Sequence, residues 1–232
     1  MEGRLLLSLL LIALGCGAVF LYWRTIWFFR NPSRIVPTAA GILSPADGTV
    51  VYAHRVGPGK EVVVVKQGVK ASITDIMRED EPAEKLIVGI FMSPFDVHYN
   101  RAPLAGCIDL IRHYPAHGEN LFMTIMQLRI LLRWFPLYLG SMHILQNERT
   151  VTRIVGQYRG ERLACYVIQI GSRGVHGIES FFRERDIVER GETFGMIRIG
   201  SQVDVVIPWR EGMDLLVRPG QKVRAGETIV VS

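Results

Sequence analysis

Apolar residues occur along this chain as one long uninterrupted run and many short ones. The long run, Leu5 to Trp23, contains no charged residue and is long enough to cross the hydrocarbon core of a bilayer. A cleaved signal peptide has a shorter apolar core and a small-residue cleavage site, whereas this run ends in aromatic residues followed by Arg24. We therefore expect one uncleaved N-terminal transmembrane helix.

The short apolar runs begin at Ile42 and are rich in Val and Ile, with Gly, Pro and Asp between them. This pattern predicts a mainly β fold that is antiparallel and barrel-sandwich-like, an α+β domain with few helices. Residues 1–30 are predicted to form a membrane anchor with an aromatic and basic collar, and residues 31–232 a folded domain. Two segments, 188–197 and 223–231, share the pattern V-x-x-G-E-T and look like two copies of one hairpin.

One segment, Leu121 to Leu139, departs from the strand pattern. It is apolar and carries Arg129 and Arg133 four residues apart, which places both on one face of a predicted helix. Pro136 is expected to end or kink that helix, and two arginines argue against a second span. Two interpretations stay open: a helix lying in the membrane interface, or a core helix whose arginines reach out to water.

The net charge of the chain indicates what kind of partner it binds. The 232 residues contain 27 Lys and Arg against 22 Asp and Glu, a net charge of +5. In a chain with a membrane anchor, this excess favours an anionic lipid surface over nucleic acid. More arginines follow the long apolar run than precede it, so the positive-inside rule predicts a domain on the cytoplasmic face of the inner membrane.

The three cysteines, Cys16, Cys107 and Cys165, show neither metal-ligand spacing nor a disulfide pattern. We expect reduced thiols and no metal site. Several common catalytic motifs are missing as well: the sequence has no Gly-x-Ser-x-Gly elbow, P-loop, dinucleotide fingerprint or HExxH.

Five short motifs carry the remaining signal. In chain order they are FFRNPSRIVP (28–37), SPADGTVV (44–51), DVHYNRAP (96–103), NER (147–149) and ERGETFGMIRIGSQVDVVIP (189–208). Together the motifs, in this order, resemble the phosphatidylserine decarboxylase family, in particular its short form. The resemblance covers most of residues 28–210, and no single motif would establish it.

The resemblance implies a proenzyme that cleaves its own chain between Gly200 and Ser201. The large chain would be residues 1–200 and the small chain residues 201–232. Ser201 would act as the nucleophile and become a covalent pyruvoyl group, the cofactor that forms a Schiff base with the serine amine of the lipid substrate. Glycine before the serine suits this chemistry, because it tolerates strained conformations and leaves its carbonyl unshielded.

Two further residues take roles from the motifs that they match. The resemblance implies that His98 returns a proton after carbon dioxide leaves, a task that suits a histidine near neutral pH. Asp47 would help to activate Ser201. Without the resemblance, Asp47 reads as a turn residue and His98 as a partly buried histidine bonded to backbone.

The sequence also departs from the family pattern. Longer members carry a second histidine three residues after the first, and here that position holds Arg101, which cannot act as an ordinary base. Arg101 is instead expected to bind the carboxylate or phosphate of the substrate. His176 is a second candidate for substrate binding or for the self-cleavage relay.

An alternative of another class is a non-enzymatic adaptor. The repeated V-x-x-G-E-T pattern and SPADGTVV also resemble biotinyl/lipoyl-type barrel-sandwich domains, which occur in membrane-anchored adaptor proteins. Such an adaptor needs long coiled-coil heptads between its half-motifs, and none is readable here. The decarboxylation of phosphatidylserine to phosphatidylethanolamine is therefore the preferred hypothesis. Whether the chain forms a homo-oligomer is left open by the sequence.

Overall fold

A computed structural model describes residues 2–79, 82–174, 177–198 and 200–232. Contacts between Cα atoms divide the chain into two units, Met1–Pro32 and Ser33–Ser232.

The first unit is helical. Helix α1 spans Glu2–Tyr22 and continues into a π-helical turn, Trp23–Trp27. The stretch Gly3–Trp27 contains an 18-residue window with a mean hydropathy of 2.5 and is long and apolar enough to cross a membrane. Beyond it, the guanidinium of Arg30 lies 4.3 Å from the centre of the Trp27 ring, an aromatic and basic pairing that suits the headgroup region. The one N-terminal apolar helix is as predicted.

The second unit is built from strands. They are β1 Ile42–Leu43, β2 Gly48–Val56, β3 Glu61–Lys66, β4 Val69–Ser72, β5 Lys85–Met92, β6 Tyr99–Arg101, β7 Gly106–Tyr114, β8 Arg149–Tyr158, β9 Glu161–Gly171, β10 Ile178–Ser180, β11 Ile187–Val188, β12 Thr193–Ile197, β13 Ser201–Pro208, β14 Lys222–Val223 and β15 Ile229–Val231. In the described part of this unit, three short helices interrupt them: α2 Ile73–Met77, α3 Thr124–Leu132 and α4 His143–Gln146. The predicted mainly antiparallel β fold with few helices is confirmed.

Eight strands form the main sheet, in the order β11-β7-β8-β9-β13-β5-β2-β14, with every neighbouring pair antiparallel. Strand β13 lies inside this sheet, hydrogen-bonded to β5 on one side and β9 on the other. All but the last of its eight residues are buried. Val203, Val205 and Val206 suit such a position because β-branched side chains pack well on a pleated surface.

Both faces of the main sheet are covered. One face packs against β1, β15 and β12 through side chains such as Ile42, Phe194 and Val230. The other packs against the β3–β4 hairpin and the three short helices through Val63, Ile76 and others. The domain is thus a sheet between two apolar layers, and successive β13 side chains enter different layers.

The segment 121–139 has features of both interpretations given above, a core helix and an interfacial helix. Helix α3 ends at Leu132, where Arg133 adopts a left-handed conformation at φ +55°, before Pro136 is reached. Met126 is fully buried in the core, as a core helix requires. Leu128 on the other side of the helix is half exposed, as an interfacial helix would be.

The two V-x-x-G-E-T segments are not hairpins, so that interpretation was wrong. Strand β11 pairs with β7 while β12 pairs with β6 and β10, and β14 pairs with β2 while β15 pairs with β1. In each segment the two strands join different partners, because the turn between them carries the chain from one sheet to another. The turns do meet: a Cβ built on Gly226 would lie 3.5 Å from the carbonyl oxygen of Gly191.

Candidate active site

The Gly200–Ser201 bond lies at the start of the central strand. Gly200 has φ +56°, in the left-handed region that glycine enters without the steric cost other residues pay. A Cβ built on Gly200 would find its nearest neighbour, Ser172 Cβ, at an ordinary 3.8 Å. Backbone conformation, rather than lack of space, is therefore what favours glycine before Ser201.

Ser201 is fully buried and paired on both sides, opposite Met92 of β5 and Gly171 of β9. Its Oγ lies 3.3 Å from the sulfur of Met92, a weak hydrogen-bond acceptor. The hydroxyl is thus held in a dry position beside the peptide bond that precedes it.

A buried amide cluster lies next to this hydroxyl. The Met92 sulfur that contacts Ser201 Oγ is also 3.8 Å from Asn100 Nδ2, and Gln169 Nε2 donates to Asn100 Oδ1 at 2.8 Å. Sequence reasoning missed both amides. A signal did exist for each: Asn100 lies inside the DVHYNRAP motif, and Gln169 is a lone polar residue in the apolar stretch 163–170.

Backbone contacts bring three of the sequence motifs together. The carbonyl of Pro45, in SPADGTVV, accepts from the backbone N–H of Arg101 at 2.9 Å. The carbonyl of His98 accepts from the N–H of Ile197 at 3.2 Å, four residues before Ser201. Strand β6, which follows His98, pairs with β12, which leads to the Gly-Ser bond.

His98 is fully buried. Its Nδ1 lies 3.0 Å from the backbone carbonyl oxygen of Asp96. A carbonyl only accepts, so Nδ1 carries the proton in this contact, and Nε2 is the ring atom left to exchange a proton. The ring is thereby fixed in orientation and tautomer, as a group that passes a proton must be.

Asp47 is bound through both carboxylate oxygens. Oδ2 accepts from Arg34 Nη2 at 2.7 Å, and Oδ1 accepts from the backbone N–H of Ala225 at 2.7 Å. Arg34 is itself nearly buried and also reaches Glu227 at 3.5 Å. Within the described part of the chain, no hydrogen bond joins Asp47 directly to Ser201.

Arg101 lies between the two V-x-x-G-E-T turns. Its Nη1 donates to the carbonyl of Gly191 at 3.0 Å, and its Cδ would be 2.9 Å from a Cβ on Gly226. Burial and the neighbouring Arg34 cation lower the pKa of Arg101, while Asp47 acts in the opposite direction. The arginine at the position of the family's second histidine therefore belongs to the same charge cluster as Asp47.

His176 lies outside the described residues, so its predicted role stays a prediction. In the described ranges, no group of three or more His, Cys, Asp or Glu side chains lies close enough to hold a metal.

A second polar cluster, which sequence reasoning missed, lies on the other face of β13. Gln202 Nε2 donates to the Tyr52 hydroxyl at 2.7 Å and to Asp204 Oδ1 at 2.8 Å. The Tyr52 hydroxyl donates to Asp204 Oδ2 at 2.7 Å, and Gln202 Oε1 accepts from His143 Nε2 at 3.0 Å. His143 has no ligand spacing in the sequence, a pattern that would predict a surface or loop residue, and that prediction is wrong because its side chain is buried in this cluster.

Burial shifts the acid–base properties of the cluster. Loss of water raises the pKa of Asp204 to about 6, although the Tyr52 and Gln202 hydrogen bonds favour its charged form. Burial likewise lowers the pKa of His143 to about 4 and that of Arg149 to about 10. The Arg149 guanidinium is held by backbone carbonyls, including that of Asp75 at 2.8 Å.

Comparison with known proteins decides the family. The family model described as phosphatidylserine decarboxylase matches residues 21–231. The chain belongs to the phosphatidylserine decarboxylase family. It is therefore an enzyme, a carboxy-lyase. The alternative hypothesis of a non-enzymatic adaptor is rejected.

Individual relatives agree with this assignment. The chain is 32% identical to a putative archaetidylserine decarboxylase proenzyme of Methanocaldococcus jannaschii, over 89% of this chain and 88% of that protein. It is 31% identical to the phosphatidylserine decarboxylase proenzyme of Paramagnetospirillum magneticum, over 98% of this chain and 80% of that protein. The proenzyme of Erythrobacter litoralis is 32% identical, with 99% and 85% covered.

Proposed function

We propose that this decarboxylase is made as a proenzyme that cleaves itself between Gly200 and Ser201 and then converts phosphatidylserine to phosphatidylethanolamine. The observation that carries the proposal is the left-handed Gly200 directly before a buried serine at the start of a central strand. The relatives named above are proenzymes, which supports the same conclusion.

The cleavage step follows from these two residues. Ser201 Oγ attacks the carbonyl carbon of Gly200 and the C–N bond breaks, which leaves an ester and a free amine on residue 201. Loss of the Cα proton of residue 201 then expels the Gly200 carboxylate and leaves a dehydroalanine. After this rearranges to an imine, water releases ammonia and leaves a pyruvoyl group at the N-terminus of residues 201–232. The whole sequence of steps consumes one water molecule and releases one ammonia, and it needs no other reactant.

The buried surroundings of Ser201 fit such a group. A pyruvoyl carbonyl supplies the electron sink for loss of carbon dioxide. The chain's own residues supply the rest: His98, held by the Asp96 carbonyl, is placed to move a proton through Nε2. Asn100, beside the Met92 sulfur, and Gln169 offer hydrogen bonds in the same dry region.

Asp47 and Arg101 are proposed to act around this centre rather than on the bond itself. Asp47, paired with Arg34 and the Ala225 N–H, is proposed to favour the activated form of Ser201 through the charge cluster. Arg101, which shares that cluster, is proposed to bind the carboxylate or phosphate of the substrate. His176 is kept as a second substrate-binding candidate on the sequence alone.

The substrate class is a serine phospholipid in a bilayer. The N-terminal apolar helix supports residence in a membrane. Arg24, Arg30 and Arg34 follow the span while only Arg4 precedes it, and this bias supports a domain on the cytoplasmic face of the inner membrane. Reaction of the Ile187→Cys variant with an impermeant maleimide would locate the domain: labelling of inverted vesicles but not of intact cells is expected, and the opposite result contradicts this orientation.

The experiment that tests the proposal is the intact mass of the full chain under denaturing conditions. We expect two chains divided before residue 201, with the small chain lighter than its sequence by one ammonia. The Ser201→Ala variant should stay one chain and release no carbon dioxide from phosphatidylserine, whereas the Ser172→Ala variant should be cleaved normally. An active Ser201→Ala protein would contradict the pyruvoyl mechanism. Parallel assays with diacyl and ether-linked serine lipids would then separate the two substrates named for the relatives.

A further inference from the structure

Seven large apolar side chains are exposed within fourteen consecutive residues of the folded domain. We name this surface the α3 ridge; its members are Phe122, Ile125, Leu128, Leu131, Leu132, Trp134 and Phe135. Each is between 43% and 77% exposed. Scattered exposed apolar residues are ordinary, but a contiguous run of this kind marks an interaction surface.

The ridge is held by the fold and is not a loose loop. Met126, on the opposite side of α3, is fully buried, and Leu137 anchors the end of the segment in the same core layer. The backbone N–H of Gly140 donates to Val65 O at 2.6 Å, and Tyr138 packs edge-on against Tyr52. The core therefore fixes α3 with its second apolar face turned outward.

Cations border the ridge. Arg129 donates to the carbonyls of Trp134 and Pro136, which keeps its charge at the end of the helix. The Arg173 guanidinium lies 5.6 Å from the centre of the Phe122 ring. Apolar and aromatic side chains bordered by arginines are the pattern of a surface that lies in a membrane interface beside anionic headgroups.

A cleft of about 980 Å³ adjoins the ridge and carries more of this charge. Its lining includes Phe135 and Leu216 together with Arg133, Arg218 and Lys222. Among the described residues, Arg133 and Arg218 make no ion pair and no acidic side chain lines the cleft, whereas Lys222 reaches Asp96 at 3.5 Å. A phosphate group at a bilayer surface would match the two arginines.

We infer that the α3 ridge docks the catalytic domain on an anionic bilayer surface, with its apolar side chains in the interface and its arginines against headgroups. A bilayer is the occupant because the same chain carries an apolar helix able to cross one. This inference extends the proposed function. It rests on that proposal in one respect, namely that the substrate is a lipid of the same bilayer. In this arrangement the catalytic domain itself contacts the bilayer, in addition to being attached to it through the N-terminal helix.

Depth measurements on the full-length protein test this docking. The Leu131→Cys variant, with Cys16 and Cys107 replaced by alanine, is spin-labelled and reconstituted in vesicles of phosphatidylcholine with phosphatidylglycerol. Ile187→Cys in the same background is the matched control, since Ile187 is 70% exposed against 77% for Leu131. Buried Cys165 is left in place, because burial raises the pKa of its thiol and keeps it unreactive.

The label at residue 131 should collide with oxygen, which concentrates in the bilayer, and be protected from a water-soluble nickel chelate. The label at residue 187 should show the reverse. Equal access of nickel to both labels would overturn the docking inference. Protection of residue 131 from both reagents would also overturn it, since that result means that another protein covers the ridge.

A kinetic arm connects docking to substrate capture. The Leu131→Glu variant should raise KM for phosphatidylserine in vesicles about tenfold, because a charge replaces an apolar contact with the bilayer. It should leave kcat and the turnover of detergent-dispersed short-chain phosphatidylserine unchanged, as should Ile187→Glu in both assays. An unchanged KM in vesicles would contradict the inference. The depth measurement can be repeated in a Ser201→Ala background, so failure of the pyruvoyl mechanism and failure of docking remain distinguishable.

Discussion

The carboxylate of Asp204 accepts a hydrogen bond from the Tyr52 hydroxyl at 2.7 Å, on the face of β13 opposite to Ser201. Gln202 binds both groups and also accepts from His143, so an acid and a base share one amide in the core. The pKa of Asp204 is raised from 3.8 to about 6 and that of His143 is lowered from 6.5 to about 4. Their effects on stability therefore fall in the same pH window with opposite signs.

The Asp204→Asn variant should be more stable at neutral than at acid pH. Between about pH 4 and 6.5, the folded protein holds His143 neutral while the unfolded chain protonates it, so stability rises with pH by about 1.4 kcal/mol per unit. With Asp204 replaced, nothing in this cluster offsets that rise. Denaturant unfolding of the uncleaved Ser201→Ala protein in detergent, at several pH values, measures the slope. A slope equal to that of the parent would mean that Asp204 does not titrate in this window, and a flat profile in the variant would mean that His143 is not held neutral by the fold.

The His143→Gln variant should show the opposite slope. A glutamine amide still donates to Gln202, but Asp204 now titrates alone: its raised pKa makes the folded state bind the extra proton between about pH 4 and 6. Stability should therefore fall as pH rises through this window, by about 3 kcal/mol in total. His117→Gln, at an exposed position, is the control and should leave the parent profile unchanged. A rising profile in His143→Gln would refute the assignment of the raised pKa to Asp204.

The Gly200→Ala variant should cleave more slowly. Alanine at φ +56° costs about 1–2 kcal/mol, so the backbone is expected to leave the conformation that presents its carbonyl to Ser201. The rate at which the full-length chain disappears on a denaturing gel measures the effect, and a slowing of about tenfold or more is expected. Gly160→Ala, at φ +82° in a turn with open space, imposes similar strain elsewhere and should leave cleavage unaffected. Equal slowing in both variants would point to general destabilisation.

The His98→Ala variant should lose decarboxylation by a factor of about 10²–10⁴, the usual contribution of a positioned proton donor. Carbon dioxide release from phosphatidylserine vesicles is the measurement, made on whatever cleaved protein forms. His54→Ala provides the comparison, because His54 is a partly buried histidine of β2 to which no role is assigned. Full turnover by cleaved His98→Ala protein would remove His98 as the proton donor.

Asp47 and Arg34 can be separated by a pair of variants. Both Asp47→Asn and Arg34→Met break their nearly buried ion pair, so both should destabilise the fold, by roughly 3 kcal/mol where an unpaired charge remains. Only Asp47→Asn removes the carboxylate proposed to assist Ser201, so it alone should slow cleavage at a temperature where both variants are folded. Intact mass against time gives the rates. Equal rates in the two variants would reduce Asp47 to a structural clamp.

The strand pattern and the motif order predicted the mainly antiparallel fold, because Val-rich runs between Gly and Pro residues report local structure directly. The motif order also predicts Ser201 as the nucleophile, since the motif around it resembles a known one, and that role stays a prediction. Strand pairing was harder to predict from the sequence. The pattern of the two V-x-x-G-E-T segments predicts hairpins, yet their strands join different sheets. Short-range pattern does not reveal which distant strand satisfies a backbone hydrogen bond.

The buried polar cluster was equally hidden from the sequence. Tyr52, His143, Gln202 and Asp204 meet only because β13 lies inside a sheet covered on both faces. Gln202 and Asp204 alternate with valines, and that alternation also occurs in strands with one wet face. A lone histidine without ligand spacing, such as His143, carries no sequence signal for burial.

The position of residue 201 at the start of a central strand affects how long the two chains of the mature enzyme would stay associated. Residues 201–232 begin with a strand hydrogen-bonded to β5 and β9, so a cut before residue 201 would leave the small fragment clasped between two neighbours. Its release would require opening the middle of the sheet, which makes dissociation slow. Refolding after such a loss would be a second-order search between two polypeptides. Processing would thus exchange a reversible fold for one whose lifetime depends on its unfolding barrier.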